Sequence, residues 1–380
     1  MTDQKRMKII YLIGELSMGG SERQLYLLLS HIDLIRVEPI VVALNPSLNK
    51  GYQKALVEAG IQVVQLPENK KHVFQRLIYF ANLFRKEKPD IVHSWSVHDN
   101  PYAGIAGLLT RVPLRLGSLR SSVNHKHFKN LPLIFQKLAL HSCQYIFVNA
   151  ESTKQELIQL NCLDSRIIVL QNCVFIVGAP ETELIEILKF PQSPREINIV
   201  GTVGNLRRNK NIHVFIEGLA NVIREYDSLV GVIIGQPIPD DLEYFEVLQQ
   251  LIADNGLQEN IFLLGFREDV PELMHGMDIF CLLSNNEGTP NAILEAMVAA
   301  KPVIATRTGG IPDLIKDEEN GILVTPGDAR EFEAALRKLL SDTRLAGQMG
   351  QNGQHRVQEY YNCHNISSQL IRLYQSLLQQ

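Results

Sequence analysis

The pattern that most constrains the fold of this chain is an alternation of short apolar runs with longer segments of helical period. The runs are rich in Val, Ile and Leu. Continuous apolar runs of this kind are typical of strands buried on both faces, and strand-helix alternation predicts a parallel sheet. The predicted strands are Ile9–Ile13, Pro39–Leu44, Ile61–Leu66, Ile91–Ser94, Leu114–Leu119, Tyr145–Asn149, Ile167–Leu170, Ile197–Val203, Val230–Ile234, Ile261–Leu264, Ile279–Leu283, Val303–Ala305 and Ile322–Val324.

The alternation is interrupted once, in a stretch that contains Pro180, Pro191 and Pro194. A chain of 380 residues also exceeds what a single hydrophobic core usually supports. We therefore predict two α/β domains, residues 1–175 and 176–356. The last segment, about 357–380, has apolar positions at helical spacing and no strand after it, so we expect it to pack back on the first domain.

Composition argues against several classes of protein. No apolar run approaches the roughly 18 residues of a membrane span, and Met1–Lys8 lacks the apolar core of a secretory signal, so we expect a cytoplasmic protein. The five cysteines are odd in number, widely spaced and in no C-x-x-C pair. We interpret them as reduced thiols that pack in the interior, not as a disulfide framework or a zinc site.

Charge is distributed unevenly along the chain. Residues 1–172 hold 21 Lys and Arg against 13 Asp and Glu, a net +8, and the rest hold 16 against 28, a net −12. The basic half suggests an anionic partner, such as lipid headgroups or a phosphate-bearing acceptor. On charge alone a nucleic acid is possible, but none is expected among the partners. Lys70–Phe74 and His125–Lys129 are candidate segments for contact with the inner face of a membrane. The alternative is a solvated charged face without a partner.

Ligands of open parallel sheets bind beyond the carboxyl ends of strands, where glycine-containing turns lead into helices. The first such turn is Gly14–Gly20, followed by Ser21–Gln24, which matches a capping box. Gly19 and Gly20 would let the backbone approach a ligand at a helix N-terminus that favours negative charge. The alternative is a tight turn only. The glycine spacing differs from G-x-G-x-x-G and does not support an NAD-dependent dehydrogenase.

The second turn, Gly204–Asn211, follows a predicted strand and precedes an amphipathic helix. Arg207 can grip two phosphate oxygens with its planar fork, and Lys210 supplies a compact point charge. Fixed cations at a helix N-terminus suit a diphosphate. Exposed basic residues without a ligand are the alternative.

The third turn is the most specific one and contains Glu287. Thr289 is suited to an N-cap and Pro290 to the first helical position, so a helix is predicted to begin there. Glu287 then lies in the loop at the helix mouth, and Glu295 lies on the helix, about 7 to 8 Å further along. One carboxylate can meet a reacting sugar while the other reaches more distant hydroxyls. The alternative for Glu295 is a surface helix residue.

At these residues the chain resembles the family 4 (group 1) retaining glycosyltransferases of the GT-B fold. The shared motifs are Gly265–Arg267, Glu287-x7-Glu295, Lys301–Val303, Gly309–Asp313 and Asn320–Val324. Several linked motifs in the right order are far less frequent by chance than one. The resemblance implies two Rossmann-like domains with parallel sheets that face a central cleft.

The resemblance also implies roles for single residues. Glu287 would lie against the transferred sugar as a positioning group, with Arg207 and Lys210 on the diphosphate. Glu295 would bind the ribose, and Arg267 would border the base. The donor-binding set would be Gly19, Gly20, Gly204, Arg267, Gly288, Thr289, Pro290, Asn291 and Glu295.

The chain departs from the family pattern at several positions. Asn205 stands where the family often has Arg, so the cationic role passes to Arg207 and Lys210. Trp95 and Arg120 stand where the family often has His. The acceptor-side candidates are therefore His93 and Arg120, and a His-based acceptor contact is in doubt.

The resulting prediction is a hexosyltransferase that moves a sugar from a nucleoside-diphosphate donor to a saccharide or polyprenyl-linked acceptor. Retention of configuration is implied by the resemblance alone. No resident cofactor is expected, since the nucleotide sugar is a co-substrate, and no Asp-x-Asp cluster suggests a metal. A nucleotide-sugar epimerase and a non-catalytic partner subunit of the same architecture are the alternatives.

Overall fold

The computed structural model describes residues 6–46, 51–70, 72–123, 126–176, 178, 184–188, 197–226 and 228–380. The chain forms two compact units, of which the first comprises Met1–Phe175 and Asn362–Gln380 and the second Ile176–Tyr361. The three prolines expected to interrupt the alternation, Pro180, Pro191 and Pro194, lie outside the described residues.

The first unit is built on a seven-stranded parallel sheet of order β3-β2-β1-β4-β5-β6-β7. Its strands are β1 Met7–Ile13, β2 Val37–Ala43, β3 Gln62–Gln65, β4 Ile91–Ser94, β5 Leu114–Leu119, β6 Tyr145–Val148 and β7 Ile167–Val169. Its helices are α1 Gly20–Ser30, α2 Gln53–Glu58, α3 Val73–Glu87, α4 Asn100–Leu109, α5 Lys126–Lys129, α6 Leu133–His141, α7 Glu151–Gln159 and, from the end of the chain, α16 Cys363–Leu378.

Helices cover both faces of this sheet, which explains why its strands are apolar at every position. Along β1, Ile9, Tyr11 and Ile13 pack with α1, α2 and α16. The alternate residues Ile10 and Leu12 pack with α3, α4, α6 and α7 on the opposite face. Successive side chains of a strand point to opposite faces, so both sets are buried.

The second unit contains a six-stranded parallel sheet of order β10-β9-β8-β11-β12-β13. Its strands are β8 Asn198–Val203, β9 Leu229–Ile234, β10 Ile261–Gly265, β11 Ile279–Leu282, β12 Val303–Thr306 and β13 Ile322–Val324. Its helices are α8 Leu184–Leu188, α9 Ile212–Ile223, α10 Leu242–Asp254, α11 Val270–His275, α12 Asn291–Val298, α13 Ile311–Leu314, α14 Ala329–Ser341 and α15 Thr343–Arg356.

Each sheet has one point at which the strand order reverses. In the first unit β1 lies between β2 and β4, and in the second β8 lies between β9 and β11. Ligands of doubly wound sheets bind beyond the carboxyl ends of the strands at such switch points. The three glycine-containing turns of the sequence follow β1, β8 and β11. All three therefore lie at switch-point strands.

The capping box expected at Ser21–Gln24 is wrong. Helix α1 begins at Gly20 with Gly19 as its N-cap, and no side chain caps it. Ser21 therefore lies inside the first turn. Gln24 is buried and pairs with the Cys173 peptide instead: its Nε2 donates to the carbonyl at 2.7 Å, and its Oε1 accepts from the N–H at 2.8 Å.

The start of α12 is one residue later than expected, because Pro290 has an extended ψ of 123° and is itself the N-cap. Near the end of the chain, Val357–Tyr361 forms a π-helical turn of the second unit, where the Tyr361 hydroxyl donates to the Asp313 carbonyl at 3.0 Å. The segment that belongs to the first unit starts at Asn362 and not near residue 357. All five cysteines are buried and free, as predicted.

Candidate active site

An ion pair joins the two loops that follow the switch-point strands of the second unit. Lys210 Nζ lies 2.5 Å from Glu287 Oε1. Lys210 comes from the turn after β8, and Glu287 from the loop after β11. Both side chains keep a small exposed fraction, 20% and 14%. The structure thus brings together two of the three residues predicted to be catalytic, which are 77 positions apart in sequence.

The Glu287 carboxylate is held in place from two directions. The buried Ser284 hydroxyl donates to Glu287 Oε1 at 2.7 Å, next to the contact from Lys210. Behind the loop, Gly309 has a φ of +52°, and a Cβ there would lie 1.7 Å from the Glu287 carbonyl oxygen. Only glycine fits this close approach in a left-handed conformation. The Gly309-Gly310 motif therefore supports the backbone of the Glu287 loop.

Two asparagines fasten the loops to each other. Asn211 Nδ2 donates to Asn285 Oδ1 at 2.8 Å, and Asn285 Nδ2 donates back to Asn211 Oδ1 at 2.9 Å. Asn211 Nδ2 also reaches the Leu283 carbonyl at 2.9 Å, and the Asn285 N–H donates to the Asn209 carbonyl at 2.8 Å. This network of hydrogen bonds, centred on the buried Asn211, fixes the relative position of Lys210 and Glu287.

Arg207 differs from the other basic residues of its loop. Its Nε is buried and has no hydrogen-bond partner among the residues that the structure describes. Its neighbour Arg208 pairs with Asp241, with 3.5 Å between Arg208 Nε and Asp241 Oδ1. Buried polar groups without partners are uncommon in folded proteins and call for an explanation. A bound anion at Arg207 would provide one.

The glycine turn beside Lys210 depends on a residue that the sequence analysis missed. A Cβ at Gly204 would lie 3.4 Å from Lys210 Cε, so the lysine stem passes close to the backbone there. At Gly235, which follows β9, a Cβ would lie 1.9 Å from the Gly204 carbonyl oxygen. The pairing of β8 with β9 was predictable, but the close approach of their ends was not.

The remaining donor-binding candidates of this loop lie at the start of α12. The Gly288 carbonyl accepts from the Gly310 N–H at 3.0 Å, Thr289 is buried, and Asn291 is the first helical residue after Pro290. Glu295 lies in the second turn of the helix and is only 5% exposed. The alternative of a surface position for Glu295 is therefore wrong.

Arg267 lies in the turn after β10 and forms a bidentate pair with Asp269. Nε and Nη2 donate to the two carboxylate oxygens at 2.8 and 2.5 Å. This hydrogen bonding raises the pKa of Arg267 and lowers that of Asp269. The guanidinium is therefore already oriented by its own loop.

The first unit contains Gly19, Gly20 and both acceptor-side candidates. Arg120 follows β5, and its Cζ lies 4.4 Å from the centre of the Trp95 ring. The Trp95 Nε1 donates to the Ser21 carbonyl in the first turn of α1 at 3.0 Å. Trp95 therefore links Arg120 to the helix that starts at Gly20.

No carboxylate among the described residues pairs with the Arg120 guanidinium. Nη2 donates to the neutral amide oxygen of Asn172 at 2.5 Å, and Nη1 is buried with no hydrogen-bond partner in the described ranges. Burial lowers the pKa of Arg120 to about 10. Removal of a cation from water is costly unless a charged partner compensates for it, so this position favours an anion.

His93 occupies an interior position on β4. Its Nδ1 lies 2.7 Å from the Tyr374 hydroxyl and its Nε2 lies 3.0 Å from the Ser118 hydroxyl. The residue is fully buried, and burial lowers its pKa to about 3. Both ring nitrogens are thus occupied and the ring is neutral at physiological pH. These features favour a structural role over an acceptor contact.

One further titratable group was missed by sequence reasoning. Asp99 is buried beside the N-terminus of α4, its Oδ2 has no hydrogen-bond partner within the described part of the chain, and burial raises its pKa to about 7. A Cβ at Gly14 would lie 3.8 Å from this oxygen. Asp99 is thus close to the turn after β1, but nothing in its local sequence pattern indicates this.

Among the described residues, no group of three or more His, Cys, Asp or Glu side chains could hold a metal ion. No described helix is both long enough and apolar enough to span a bilayer.

Comparisons with known proteins agree with the fold. The family described as "Glycosyltransferase Family 4" matches residues 18–176, and the one described as "Glycosyl transferases group 1" matches residues 183–356. Together these ranges cover most of the chain.

Similar proteins support this result. The capsular polysaccharide biosynthesis glycosyltransferase CapM of Staphylococcus aureus is 25% identical over 322 residues, which are 80% of this chain and 81% of CapM. The UDP-Gal:alpha-D-GlcNAc-diphosphoundecaprenol alpha-1,3-galactosyltransferase of Escherichia coli is 27% identical over 305 residues, 75% of each chain. The structure of Anabaena HepE in complex with UDP-glucose has a TM-score of 0.83 at 22% identity, covering 98% of this chain and 100% of HepE. The chain belongs to the group 1, family 4 glycosyltransferases and has the GT-B fold.

Proposed function

We propose that this glycosyltransferase moves a hexose-type sugar from a nucleoside-diphosphate donor to a saccharide or lipid-linked saccharide, with retention of configuration. The observation that carries the proposal is the Lys210–Glu287 pair next to Arg207, at the switch point of the second sheet. The names of two relatives, one in capsular polysaccharide biosynthesis and one that acts on a diphosphoundecaprenol-linked sugar, support the choice of acceptor. A role in cell-surface polysaccharide or glycoconjugate synthesis follows.

The diphosphate is assigned to the turn after β8. As the bond to the sugar breaks, negative charge develops on the departing diphosphate, and fixed cations stabilise that charge. Lys210 is paired with Glu287 in the free protein, so Arg207, whose Nε has no hydrogen-bond partner among the described residues, is assigned the remaining contact to the diphosphate. Arg207 and Lys210 thereby provide the charge stabilisation that a metal ion provides in other phosphate-leaving reactions. Metal independence is part of the proposal.

Glu287 is assigned to the sugar. A carboxylate beside the reacting carbon stabilises the cation-like centre that forms there, because it is held in advance and needs no reorganisation. Ser284 and Lys210 both hydrogen-bond to the same oxygen, Oε1, and so orient the group. In the proposed reaction, the leaving phosphate accepts the proton of the acceptor hydroxyl, which then attacks from the same face.

Glu295 is assigned to the ribose and the Gly265–Arg267 turn to the base. A buried carboxylate on α12 can accept hydrogen bonds from two neighbouring hydroxyls. Arg267 is held by Asp269, which leaves its planar face as the surface that a base can stack on.

Arg120 is assigned to the acceptor side. An anionic group on the acceptor, such as a phosphate, would compensate for the burial of its guanidinium. The basic charge of residues 1–172 favours the same class of acceptor. His93 is not part of this assignment, since its two nitrogens are engaged in the interior.

A thermal-shift screen of UDP, GDP and ADP sugars tests the donor class, because a bound donor stabilises the fold by mass action. The stabilising donor is then incubated with and without a saccharide acceptor. Transfer that requires acceptor supports the proposal. A converted sugar without any acceptor would instead identify an epimerase, and binding of no sugar nucleotide would contradict the proposal.

A further inference from the structure

Helix α6 presents apolar side chains outward, which is unusual for a helix on the surface of a folded domain. Leu133, Ile134, Phe135 and Leu138 are between 37% and 74% exposed. We call these four residues the α6 patch. Clustered exposed apolar residues mark interaction sites, whereas single ones are common and need no explanation.

The rest of the helix accounts for its packing. Ala139 and Leu140 are buried and belong to the core that α3 and α4 also cover. Small and medium side chains therefore fix α6 to the sheet, and the larger ones point away from it. The α6 patch is not needed to fill the core.

Along the chain, the charge on both sides of the α6 patch has one sign. From Asn100 to Ala150 the sequence contains no Asp or Glu, and it contains six basic residues, Arg111, Arg115, Arg120, Lys126, Lys129 and Lys137. Lys129 precedes the patch and Lys137 lies within it, between Phe135 and Leu138, and both are exposed. A protein partner would usually present a mixture of charges, whereas an anionic bilayer presents a uniform one.

We infer that the α6 patch docks on an anionic lipid surface, with its apolar side chains at the boundary of headgroups and acyl chains and its lysines among the headgroups. A nine-residue helix is about 13 Å long, too short to cross a bilayer but sufficient to lie in the interface. The inference rests on the proposed function in one respect. If the acceptor is lipid-linked, as proposed, the enzyme would meet it at the lipid surface on which the first unit docks.

Helix α3, on the same side of the sheet, also exposes apolar residues. Phe74 and Ile78 on α3 are exposed and lie one turn apart on the side of the sheet that α6 also covers. Phe74 belongs to the expected segment Lys70–Phe74, of which Lys71 lies outside the described residues. In the other expected segment, His125–Lys129, His125 also lies outside the described residues. The exposed apolar residues there belong to the following helix, α6.

Cosedimentation of the full chain with vesicles tests the inference. We expect binding to vesicles of phosphatidylcholine and phosphatidylglycerol in equal amounts at low salt, and little binding to phosphatidylcholine alone. Ile134→Ser with Leu138→Ser should weaken binding about tenfold or more, because two apolar side chains no longer leave water. Lys129→Glu with Lys137→Glu should also weaken it and reduce its salt dependence.

Matched controls come from the opposite side of the first unit. Ile35, 84% exposed in the α1–β2 turn, and the exposed Lys54 on α2 lie outside the α6 patch. Ile35→Ser and Lys54→Glu should each leave vesicle binding within about twofold of the original value. Equal loss in patch and control variants would contradict the inference, as would absence of binding to the anionic vesicles.

Two further measurements separate other outcomes. If sedimentation without lipid showed a dimer that the patch substitutions dissociate, the patch would be a contact between copies of this chain and the inference would be overturned. Donor titration without vesicles tests the proposed function alone. Unchanged donor binding in the patch variants shows that their loss of vesicle binding does not arise from misfolding.

Discussion

The switch points of the two sheets place cations differently. In the second unit, Lys210 and Glu287 form a direct ion pair between the turns after β8 and β11. In the first unit, the first turn of α1 and the residue that follows β4 are joined by the Trp95–Ser21 hydrogen bond, and Arg120 stacks on that tryptophan. Arg120 has a neutral partner, Asn172, and no carboxylate among the described residues.

The difference indicates two modes of ligand binding. In the second unit, Lys210 is already paired with the oriented carboxylate of Glu287. When a diphosphate binds Lys210, that carboxylate can turn to a reacting sugar. The arginine of the first unit is buried without such compensation, so an incoming anion would supply a missing partner. The first arrangement suits chemistry on a bound group, and the second suits recognition of a charged one.

The largest effect is expected from a substitution that removes the charge of Glu287 and keeps the shape of its side chain. Glu287→Gln should lower the rate of transfer by on the order of a thousandfold, since removal of a preorganised electrostatic group has effects of that size. Donor binding should stay the same or become tighter, because Lys210 loses its competing carboxylate. Initial rates with saturating donor, together with a donor titration, measure both quantities.

Gln can still accept the hydrogen bond from Ser284, so the variant should unfold at nearly the original temperature. Near-normal transfer would remove Glu287 from the active site. If Glu287→Gln weakened donor binding but left the rate of transfer normal, Glu287 would act in donor binding and not in the chemical step.

A smaller effect is expected in the first unit. Arg120→Gln should raise the KM for an anionic acceptor about tenfold or more, as loss of a charge-assisted hydrogen bond does, and leave donor binding unchanged. Arg111→Gln is the control, because Arg111 is exposed. Equal KM values for Arg120→Gln and the original chain would show that the buried guanidinium is structural.

The smallest effect concerns His93, which has a structural role because both of its ring nitrogens are engaged in the interior. Its pKa is lowered to about 3 from a usual 6.5, so between these values the unfolded chain binds a proton that the folded chain does not. The free energy of unfolding should therefore fall as the pH drops below 6.5, by ~1.4 kcal/mol per pH unit from this group.

His93→Gln should remove that part of the pH dependence while retaining most of the transfer activity near neutral pH. Urea unfolding at several pH values below neutrality measures the slope. The same slope in both proteins would assign the pH dependence to other groups. A total loss of transfer in a folded variant would restore His93 as an acceptor contact.

The sheets were predictable from the sequence because their strands are buried on both faces. All thirteen predicted runs correspond to strands, with bounds that differ by at most two residues. Glu287 was also accessible, since the loop ahead of α12 has a distinctive succession of Gly, Thr and Pro after a buried strand. Local sequence is informative where a feature depends on burial or on turn chemistry.

Contacts between distant segments were not predictable in the same way. Gln24 resembled part of a capping box, but it binds the Cys173 peptide, 149 positions away. His93 resembled an acceptor ligand until the structure placed it against Tyr374, 281 positions away. The close approach of Gly235 to Gly204 similarly depends on strand pairing and not on a local pattern.

The central claim is that Arg207 and Lys210 hold the diphosphate of the donor. Calorimetric titration with nucleoside diphosphates tests it most directly, in the original chain, in Arg207→Gln with Lys210→Gln, and in the control Arg208→Gln, whose arginine pairs with Asp241. The double variant should bind about a hundredfold more weakly, and the control within about twofold of the original chain. Equal affinity of the double variant and the original chain would contradict the account.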